Sequence, residues 1–370
     1  MVKVLVTGGA GFIGSHLVQG LLRKGHQVRV LDAFIPQVHG QSPRQLPPEV
    51  EVSHGDVRDR QSVEAALADV EVVFHLAAEV GVGQSMYEIH RYVDVNAGGT
   101  AVLLDAIVER RKQIRKLIVA SSMSIYGEGA YRNPNGGIEA PPPRPLAQLT
   151  GRDWEMRSSE TGELLEPIPT PETKPLYPAS VYAVSKQDQE QYCLIVGRAY
   201  DVPTVALRYF NIYGPGQALS NPYTGALAIF SSRLLNRQPP MIFEDGLQSR
   251  DFTSVEDVVQ ANLLAMESDA ANYQAINIGT GIATPIVDIA RMLADGLGIG
   301  LEPTIVERFR EGDIRHCVAD ISRAREFLGY RPTVYLKDGI PKLLEWVKQQ
   351  QAVDAVERAT QELNARGLVR

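Results

Sequence analysis

The stretch KVLVTGGAGFIGSHL, residues 3–17, decides the architecture of the N-terminal half of the chain. A β-branched run at 3–7 leads into closely spaced glycines and then into a helix-period segment, 14–24. Gly8 allows a tight turn, Gly11 leaves backbone amides open at the helix N-terminus, and Gly14 lets the helix pack on the strand. Amides at a helix N-terminus attract anions. The stretch therefore predicts a site for the pyrophosphate of a dinucleotide, with Phe12 and Ile13 beside it.

The alternation of strand and helix continues beyond this stretch. Further strands are predicted at 27–31, 50–54, 70–75, 117–120 and 205–209. Strands buried on both faces and separated by helices indicate the α/β class, with a Rossmann-type doubly wound parallel sheet. A looser pattern after about residue 213 predicts a smaller α/β substrate-binding lobe. We expect a dinucleotide-binding domain at 1–212, this lobe at 213–348 and a helical tail at 349–370.

A segment rich in proline and glycine, about 128–176, interrupts the alternation. So long a stretch without periodicity is uncommon inside a domain, and it is usually a functional lid or disordered. A surface excursion without a catalytic role is an equally open interpretation.

Composition narrows the possible functions. The 370 residues carry a formal net charge of −7, which argues against a nucleic-acid or anionic-membrane partner. No apolar run has the length of a membrane span, and the apolar start at 2–6 breaks into glycines too soon for a signal peptide. The two cysteines lie far apart without a CxxC pair, so neither a disulfide framework nor a metal site is expected. A cytoplasmic location is the simplest interpretation.

Residues at the predicted strand ends indicate which dinucleotide binds. Asp32 can accept hydrogen bonds from the adenosine ribose hydroxyls and would repel a 2′-phosphate, and no arginine occurs at 33–38. The sequence therefore predicts NAD rather than NADP. Further cofactor contacts are expected where the third and fourth strands end, at Asp56, Val57, Leu76, Ala77 and Ala78. His75, beside the last three, is more typical of a core residue than of a catalyst.

The candidate reaction centre lies later in the chain. Tyr182 and Lys186 are four residues apart and share a helix face. The lysine ammonium, together with a positively charged nicotinamide, would favour the tyrosine phenolate and make it a base. Ser121 and Ser122, after the fifth strand, can hydrogen-bond a substrate hydroxyl beside that tyrosine. Together with Tyr182 and Lys186 they predict hydride chemistry at a carbinol carbon.

These motifs, with Asn96–Thr100 and Arg208–Gly214, resemble the extended short-chain dehydrogenase/reductase family of nucleotide-sugar epimerases and dehydratases, over roughly residues 2–346. The resemblance implies that Ser122, Tyr182 and Lys186 are catalytic and that Asn96 organises the backbone near the cofactor. It implies a homodimer and a nucleoside-diphosphate sugar as substrate. The substrate contacts that it implies are Asn211, Phe243, Arg250, Arg310, Asp313 and Cys317.

The residues after Ser122 separate the reactions of this family. Dehydratases and decarboxylases place an acid there, whereas this chain has Met123 and Ser124. Elimination is therefore disfavoured, and 4-epimerisation through a transient 4-keto sugar is expected. The segment 211–230 and the long insert most resemble the dTDP-L-rhamnose 4-epimerase subgroup, although the CxxC pairs frequent in that insert are absent. A UDP-hexose 4-epimerase, a 4,6-dehydratase and a 4-keto reductase remain alternatives.

Overall fold

A parallel sheet of seven strands, β1–β7, organises the molecule in the computed structural model, which describes residues 1–40 and 45–370. The strands follow one another across the sheet in the order β7-β6-β5-β4-β1-β2-β3. Their bounds, from β1 to β7, are Lys3–Thr7, Gln27–Asp32, Glu51–His54, Val72–His75, Lys116–Ser122, Thr204–Tyr209 and Ala275–Ile278. The order runs outward in both directions from β1, which confirms the predicted doubly wound Rossmann-type sheet.

The reversal of strand order determines where a ligand can lie. β1 pairs with both β2 and β4, and Thr7 at its end is opposite Leu31 on one side and His75 on the other. Loops that leave the carboxyl ends of these strands diverge to opposite faces of the sheet and leave a crevice. The predicted cofactor residues all follow strands at this edge.

Helices cover both faces of the sheet. Leu17 and Leu21 pack with Val258 in the core on one face, while Leu103 and Ile107 belong to the core on the other. The α-helices are Phe12–Arg23, Pro36–His39, Arg60–Ala66, Val82–Ser85, Ile89–Tyr92, Gly99–Glu109, Leu146–Thr150, Val181–Ala199, Ala226–Leu235, Val255–Glu267, Ile286–Leu297, Ser322–Leu328, Leu336–Val347 and Val356–Ala365. A π-helical turn spans Val93–Gly98, and a 3-10 turn spans Met123–Tyr126. Among the described residues, no helix is both long and apolar enough to cross a membrane.

The second lobe is built from short strands and its own apolar core. Its strands are Asn211–Tyr213, Met241–Ile242, Ser249–Arg250, Phe252–Ser254, Thr284–Pro285, Thr304–Ile305 and His316–Cys317. After residue 213 the chain returns once to the large sheet. The helix Val255–Glu267 packs on Phe12–Arg23, and the strand Ala275–Ile278 completes the large sheet.

The insert forms a small folded unit. Its strands Ala130–Arg132, Ile138–Glu139 and Glu166–Ile168 pair antiparallel around Tyr131, which packs with Met156 and Leu165. It contacts the second lobe through backbone bonds, such as that from the Gly129 amide to the carbonyl of His316, 2.8 Å long. The insert therefore has a fixed place against the second lobe.

Candidate active site

A cavity of about 1060 Å³ lies at the carboxyl edge of the sheet and extends into the second lobe. It is lined by nearly all of the residues that the sequence predicts to bind ligands or to take part in the reaction. Those that line it are Gly8, Gly11, Phe12, Ile13, Gly14, Asp32, Asp56, Val57, Leu76, Ala77, Ala78, Ser122, Tyr182, Lys186, Asn211, Phe243, Arg250, Arg310 and Asp313. Asn96 and Cys317, which the structure also describes, lie outside this lining.

The glycine turn has the shape that a pyrophosphate requires. Gly8 adopts a φ of +68°, a conformation that favours glycine. A Cβ on Gly14 would lie 2.3 Å from the carbonyl oxygen of Gly8, so only glycine permits this contact between helix and turn. The helix starts at Phe12, with its first amides at the cavity. These residues fit the diphosphate of NAD.

Asp32 presents an ionised carboxylate at the far side of this turn. It accepts hydrogen bonds from the amides of Ala10, at 3.0 Å, and Phe34, at 2.9 Å, and lies 3.3 Å from a ring nitrogen of His39. Burial acts to raise the pKa of Asp32, but the bonds from His39 and the two amides outweigh it and hold the pKa below its usual range. The carboxylate is therefore charged at neutral pH and suited to ribose hydroxyls.

The three residues of the predicted reaction centre line the same cavity. Ser122 lies beside Tyr182 and acts to lower the pKa of its phenol. Ser122 Oγ also accepts a 2.9 Å bond from Ser124 Oγ, which leaves the Ser122 proton free to point at the phenol. Lys186 is buried on the same helix as Tyr182.

The electrostatics of this centre differ from the expectation. Burial raises the pKa of Tyr182, and only the bond from Ser122 opposes the rise. Burial also lowers the pKa of Lys186 to about 8. The expectation included the ammonium and a positively charged nicotinamide, but not the removal of Tyr182 and Lys186 from water, which disfavours each charged form.

His75 is a core residue, as expected. Its Nδ1 lies 2.8 Å from the hydroxyl of Thr7 and its Nε2 lies 2.9 Å from that of Thr100. Burial first, and then the charge of Lys186, lower the pKa of His75 to about 3. The imidazole is therefore neutral and ties β1 and β4 to the helix that follows Asn96.

Asn96 has the contacts of an organising residue. Its Oδ1 accepts a 2.7 Å bond from the amide of Glu79, and its Nδ2 donates to Ser185 Oγ at 2.9 Å. It thus joins the loop after β4 to the helix that carries Tyr182. A direct contact of Asn96 with the cofactor stays a prediction.

The second-lobe end of the cavity combines cations with an aromatic ring. Arg310 stacks 4.7 Å above the ring of Phe243 and pairs with Asp313 at 2.8 Å. Arg250 donates to the backbone carbonyl of Ile314 at 2.6 Å. The Oδ1 atom of Asn211 is buried without a hydrogen-bond partner among the described residues. A buried polar atom left unpaired beside a cavity is a ligand-contact candidate.

Cys317 does not reach this cavity. The strand His316–Cys317 pairs with Ser249–Arg250, and the cysteine lies against the insert, with Sγ 3.8 Å from Thr170 Oγ1. It borders a separate pocket of about 130 Å³. The insert therefore occupies the space beside this cysteine, which lies outside the lining of the main cavity.

Sequence reasoning missed two features at or beside the cavity. Gln189 holds Lys186, and its position three residues further along the same helix face could have indicated it. The tail helix, Val356–Ala365, supplies part of the wall through residues such as Leu363. Nothing in its charged, amphipathic pattern indicated a role at the site.

A dinucleotide cradle that opens onto a Ser–Tyr–Lys group defines an NAD-dependent enzyme of the extended short-chain dehydrogenase/reductase class. More narrowly, the chain belongs to the NAD dependent epimerase/dehydratase family, whose model matches residues 4–150 and 152–279.

Proteins similar to this one align with nearly the whole chain. A dTDP-L-rhamnose 4-epimerase of Burkholderia thailandensis is 37% identical, over 94% of this chain and 95% of its own. The structure of a UDP-glucose 4-epimerase of Thermotoga maritima with UDP-glucose is 32% identical and superposes with a TM-score of 0.76, covering 94% of this chain and 99% of that one. A UDP-glucose 4-epimerase of Thermus thermophilus, crystallised with NAD, is 30% identical with a TM-score of 0.74, over 95% and 100% of the two chains.

Proposed function

We propose that the protein is an NAD-dependent 4-epimerase of a nucleoside-diphosphate sugar, with dTDP-L-rhamnose and its 4-epimer, dTDP-6-deoxy-L-talose, as the first candidate pair. One observation carries the choice of reaction. The cavity is lined by Ser122, Tyr182 and Lys186. The two residues that follow Ser122 carry no carboxyl group: Met123 packs into the core and Ser124 bonds to Ser122. Elimination would need a group that protonates the leaving hydroxyl, and these positions cannot supply one.

NAD supplies a hydride acceptor that can return the same hydride, so the reaction has no net redox change. Tyr182 removes the proton of the 4-hydroxyl in the first half and gives it back in the second. Ser122 donates its hydrogen bond to the phenolate and aligns the carbinol oxygen. The Lys186 ammonium stabilises the negative charge on this group. Because the hydride returns to the opposite face of carbon 4, the ketone must turn over within the cavity.

The diphosphate of the substrate would be held at the second-lobe end of the cavity. Arg250 and Arg310 offer planar guanidinium groups suited to phosphate oxygens. Asn211 offers its side-chain Nδ2 group as a donor to phosphate oxygens, and Phe243 offers a ring for the base. Asp313 lines the same end.

A UDP-hexose is the second candidate substrate class. Thermotoga maritima UDP-glucose 4-epimerase, crystallised with UDP-glucose, supports it. The Burkholderia thailandensis relative, at higher identity, supports the deoxythymidine-linked sugar.

Product analysis tests the proposal. Purified protein is incubated with dTDP-L-rhamnose, UDP-glucose and UDP-N-acetylglucosamine, without added NAD, and products are separated by chromatography. We expect the 4-epimer of at least one. A 4-keto product identifies a dehydratase, and consumption of added NADPH identifies a reductase. Return of every sugar unchanged contradicts the proposal.

The same experiment with Tyr182→Phe tests the assignment of the base. The phenylalanine keeps the ring and removes the hydroxyl, so turnover should fall by about 10²–10⁴ while NAD stays bound. Unchanged turnover contradicts the assignment.

We also propose a cytoplasmic homodimer. The helix Val181–Ala199 exposes Val184, Tyr192 and Ile195, with exposed fractions of 45%, 40% and 58%. These apolar side chains are suited to a helix-packed interface. Light scattering should give twice the mass of the 40.6 kDa chain, and Ile195→Glu should shift it toward the monomer. A monomeric wild-type protein at micromolar concentration contradicts this.

A further inference from the structure

The tail helix, Val356–Ala365, lies across the second-lobe end of the cavity. Ala359 and Leu363 are its buried side chains, and both face the cavity. Leu368, in the segment after the helix, also lines it. The tail helix therefore contributes an apolar surface to the end of the cavity that holds Phe243 and Arg310.

A polar contact fastens the tail helix to the rest of the chain. The carboxylate of Glu362 accepts hydrogen bonds from the hydroxyls of Tyr87, at 2.9 Å, and Tyr223, at 3.1 Å. The two tyrosine oxygens are 2.5 Å apart. Arg366 lies 4.2 Å from the ring centre of Tyr87. Because Tyr87 follows β4 and Tyr223 belongs to the second lobe, this contact joins the tail helix to both lobes.

The last residues fasten the other edge of the tail. Phe309 and Arg370 exchange two backbone hydrogen bonds, of 2.9 and 3.0 Å. The carbonyl of Leu368 accepts a 2.9 Å bond from the amide of Glu311. These bonds flank Arg310, so the tail borders the segment that presents this arginine.

The tail and the predicted base-binding ring share one apolar cluster. Leu363 and Val369 pack with Phe243, and Met241, Leu368 and Tyr87 border them. An aromatic base that lies against Phe243 would thus meet the tail as well. Burial of such a base between apolar side chains is favourable in proportion to the area removed from water.

We propose that residues 356–370 are a lid over the nucleotide end of the cavity, whose apolar face contacts the base of a nucleoside-diphosphate ligand and whose Glu362 holds it closed on Tyr87 and Tyr223. The inference rests on the proposed function, because it takes the ligand to be a nucleotide. A helix of ten residues with two buried side chains is marginal by itself, so its closed position depends on these contacts.

Nucleotide affinity in a truncated variant tests the lid. A chain that ends at Ala355 removes the helix and the strand pairing, and is compared with the full chain by calorimetric titration of dTDP and of UDP. We expect the affinity for the nucleotide that binds the full chain to fall at least tenfold, with the content of bound NAD unchanged. Equal affinity in the two proteins overturns the proposal.

A point variant covers the case in which the truncated chain does not fold. Glu362→Ala removes the charge-assisted bonds to Tyr87 and Tyr223, and it should lower the affinity for the same nucleotide by roughly three- to tenfold. Glu357→Ala is the matched control, because Glu357 lies on the same helix, is largely exposed and is 3.9 Å from Arg233. Affinity lowered equally by both variants, or by neither, overturns the proposal.

Limited trypsin digestion gives an independent readout. Cleavage after Arg358 and Arg366 should slow when dTDP or UDP is present, since the ligand holds the lid closed. A digestion rate that saturating nucleotide does not change overturns the lid. If the full chain binds neither nucleotide, the proposed function is contradicted. This differs from the outcome in which the full and truncated chains bind nucleotide equally, which contradicts only the lid.

Discussion

The ammonium nitrogen of Lys186 lies 2.6 Å from Oε1 of Gln189, one turn further along the same helix, and donates a hydrogen bond to it. The amide nitrogen of Gln189 is fixed in turn by a 2.9 Å bond to Thr100 Oγ1. A neutral amide orients the ammonium without compensating its charge. Burial therefore outweighs the opposing effects of Cys193 and Glu190 and lowers the pKa of Lys186 to about 8.

Turnover should consequently fall as the pH rises through about 8. Below this pH Lys186 is charged and stabilises the phenolate of Tyr182; above it the lysine loses its proton and the stabilisation is lost. Measurement of kcat at saturating substrate from pH 6 to 10 should show this alkaline limb.

Lys186→Met is the control for that assignment. It keeps the apolar stem and removes the ammonium, so we expect turnover lowered about 10²–10⁴-fold and no limb near pH 8. If the limb persists in the methionine variant, another group is responsible for it.

Ser124 should act as a positioning residue. Its hydroxyl donates to Ser122 Oγ at 2.9 Å, which directs the Ser122 proton toward Tyr182. Ser124→Ala should lower kcat by about two- to tenfold, as expected for one neutral hydrogen bond, with KM and NAD content little changed. Met123→Leu, at the adjacent buried position, should keep wild-type kcat. Equal kcat values in the two variants contradict the positioning role of Ser124.

Asp32 should determine the choice between NAD and NADP. Its carboxylate is ionised and faces the cavity, so it binds hydroxyls and repels a phosphate. After removal of bound cofactor, Asp32→Asn should bind NAD about tenfold more weakly and lose much of its discrimination against NADP. Asp59→Asn, whose carboxylate caps a helix outside the cavity, should leave both affinities unchanged. Unaltered discrimination in Asp32→Asn contradicts this role.

The cofactor end was predictable because each of its motifs is local. A glycine turn, an acid or a pair of alanines follows directly after a strand, and parallel pairing brings the ends of β1, β2 and β4 to one edge. The strand Ala275–Ile278 was missed because four residues within a loosely patterned region do not identify a strand. Its place beside β6 depends on pairing with residues 204–209, far away in the chain.

The parts that were not predictable depend on distant contacts or on burial. Tyr87 and Glu362 are 275 positions apart, and no local pattern joins them. The spacing of Tyr182 and Lys186 placed them on one face but gave no measure of their solvation, so the contribution of burial to the pKa of Tyr182 was not predicted. Cys317 lies outside the main cavity because the insert packs on it, and no sequence motif indicated that contact.

The insert is joined to the second lobe by buried charges. Arg144 of the insert pairs with Glu244 at 2.8 Å, and Arg315 reaches the same carboxylate at 3.1 Å. These side chains are 0–2% exposed. Removing one partner from such a group leaves an uncompensated buried charge, which costs about 3–5 kcal/mol.

Glu244→Gln should therefore lower the free energy of unfolding by about 3 kcal/mol, measured by urea titration. Arg132→Met breaks the exposed 3.7 Å ion pair with Glu166 and should change the free energy of unfolding by less than about 1 kcal/mol. Among the described residues no cluster could hold a metal, so a chelator should not shift Tm. A chelator that lowers Tm, or a Glu244→Gln protein as stable as Arg132→Met, would show that something other than this ion network holds the insert.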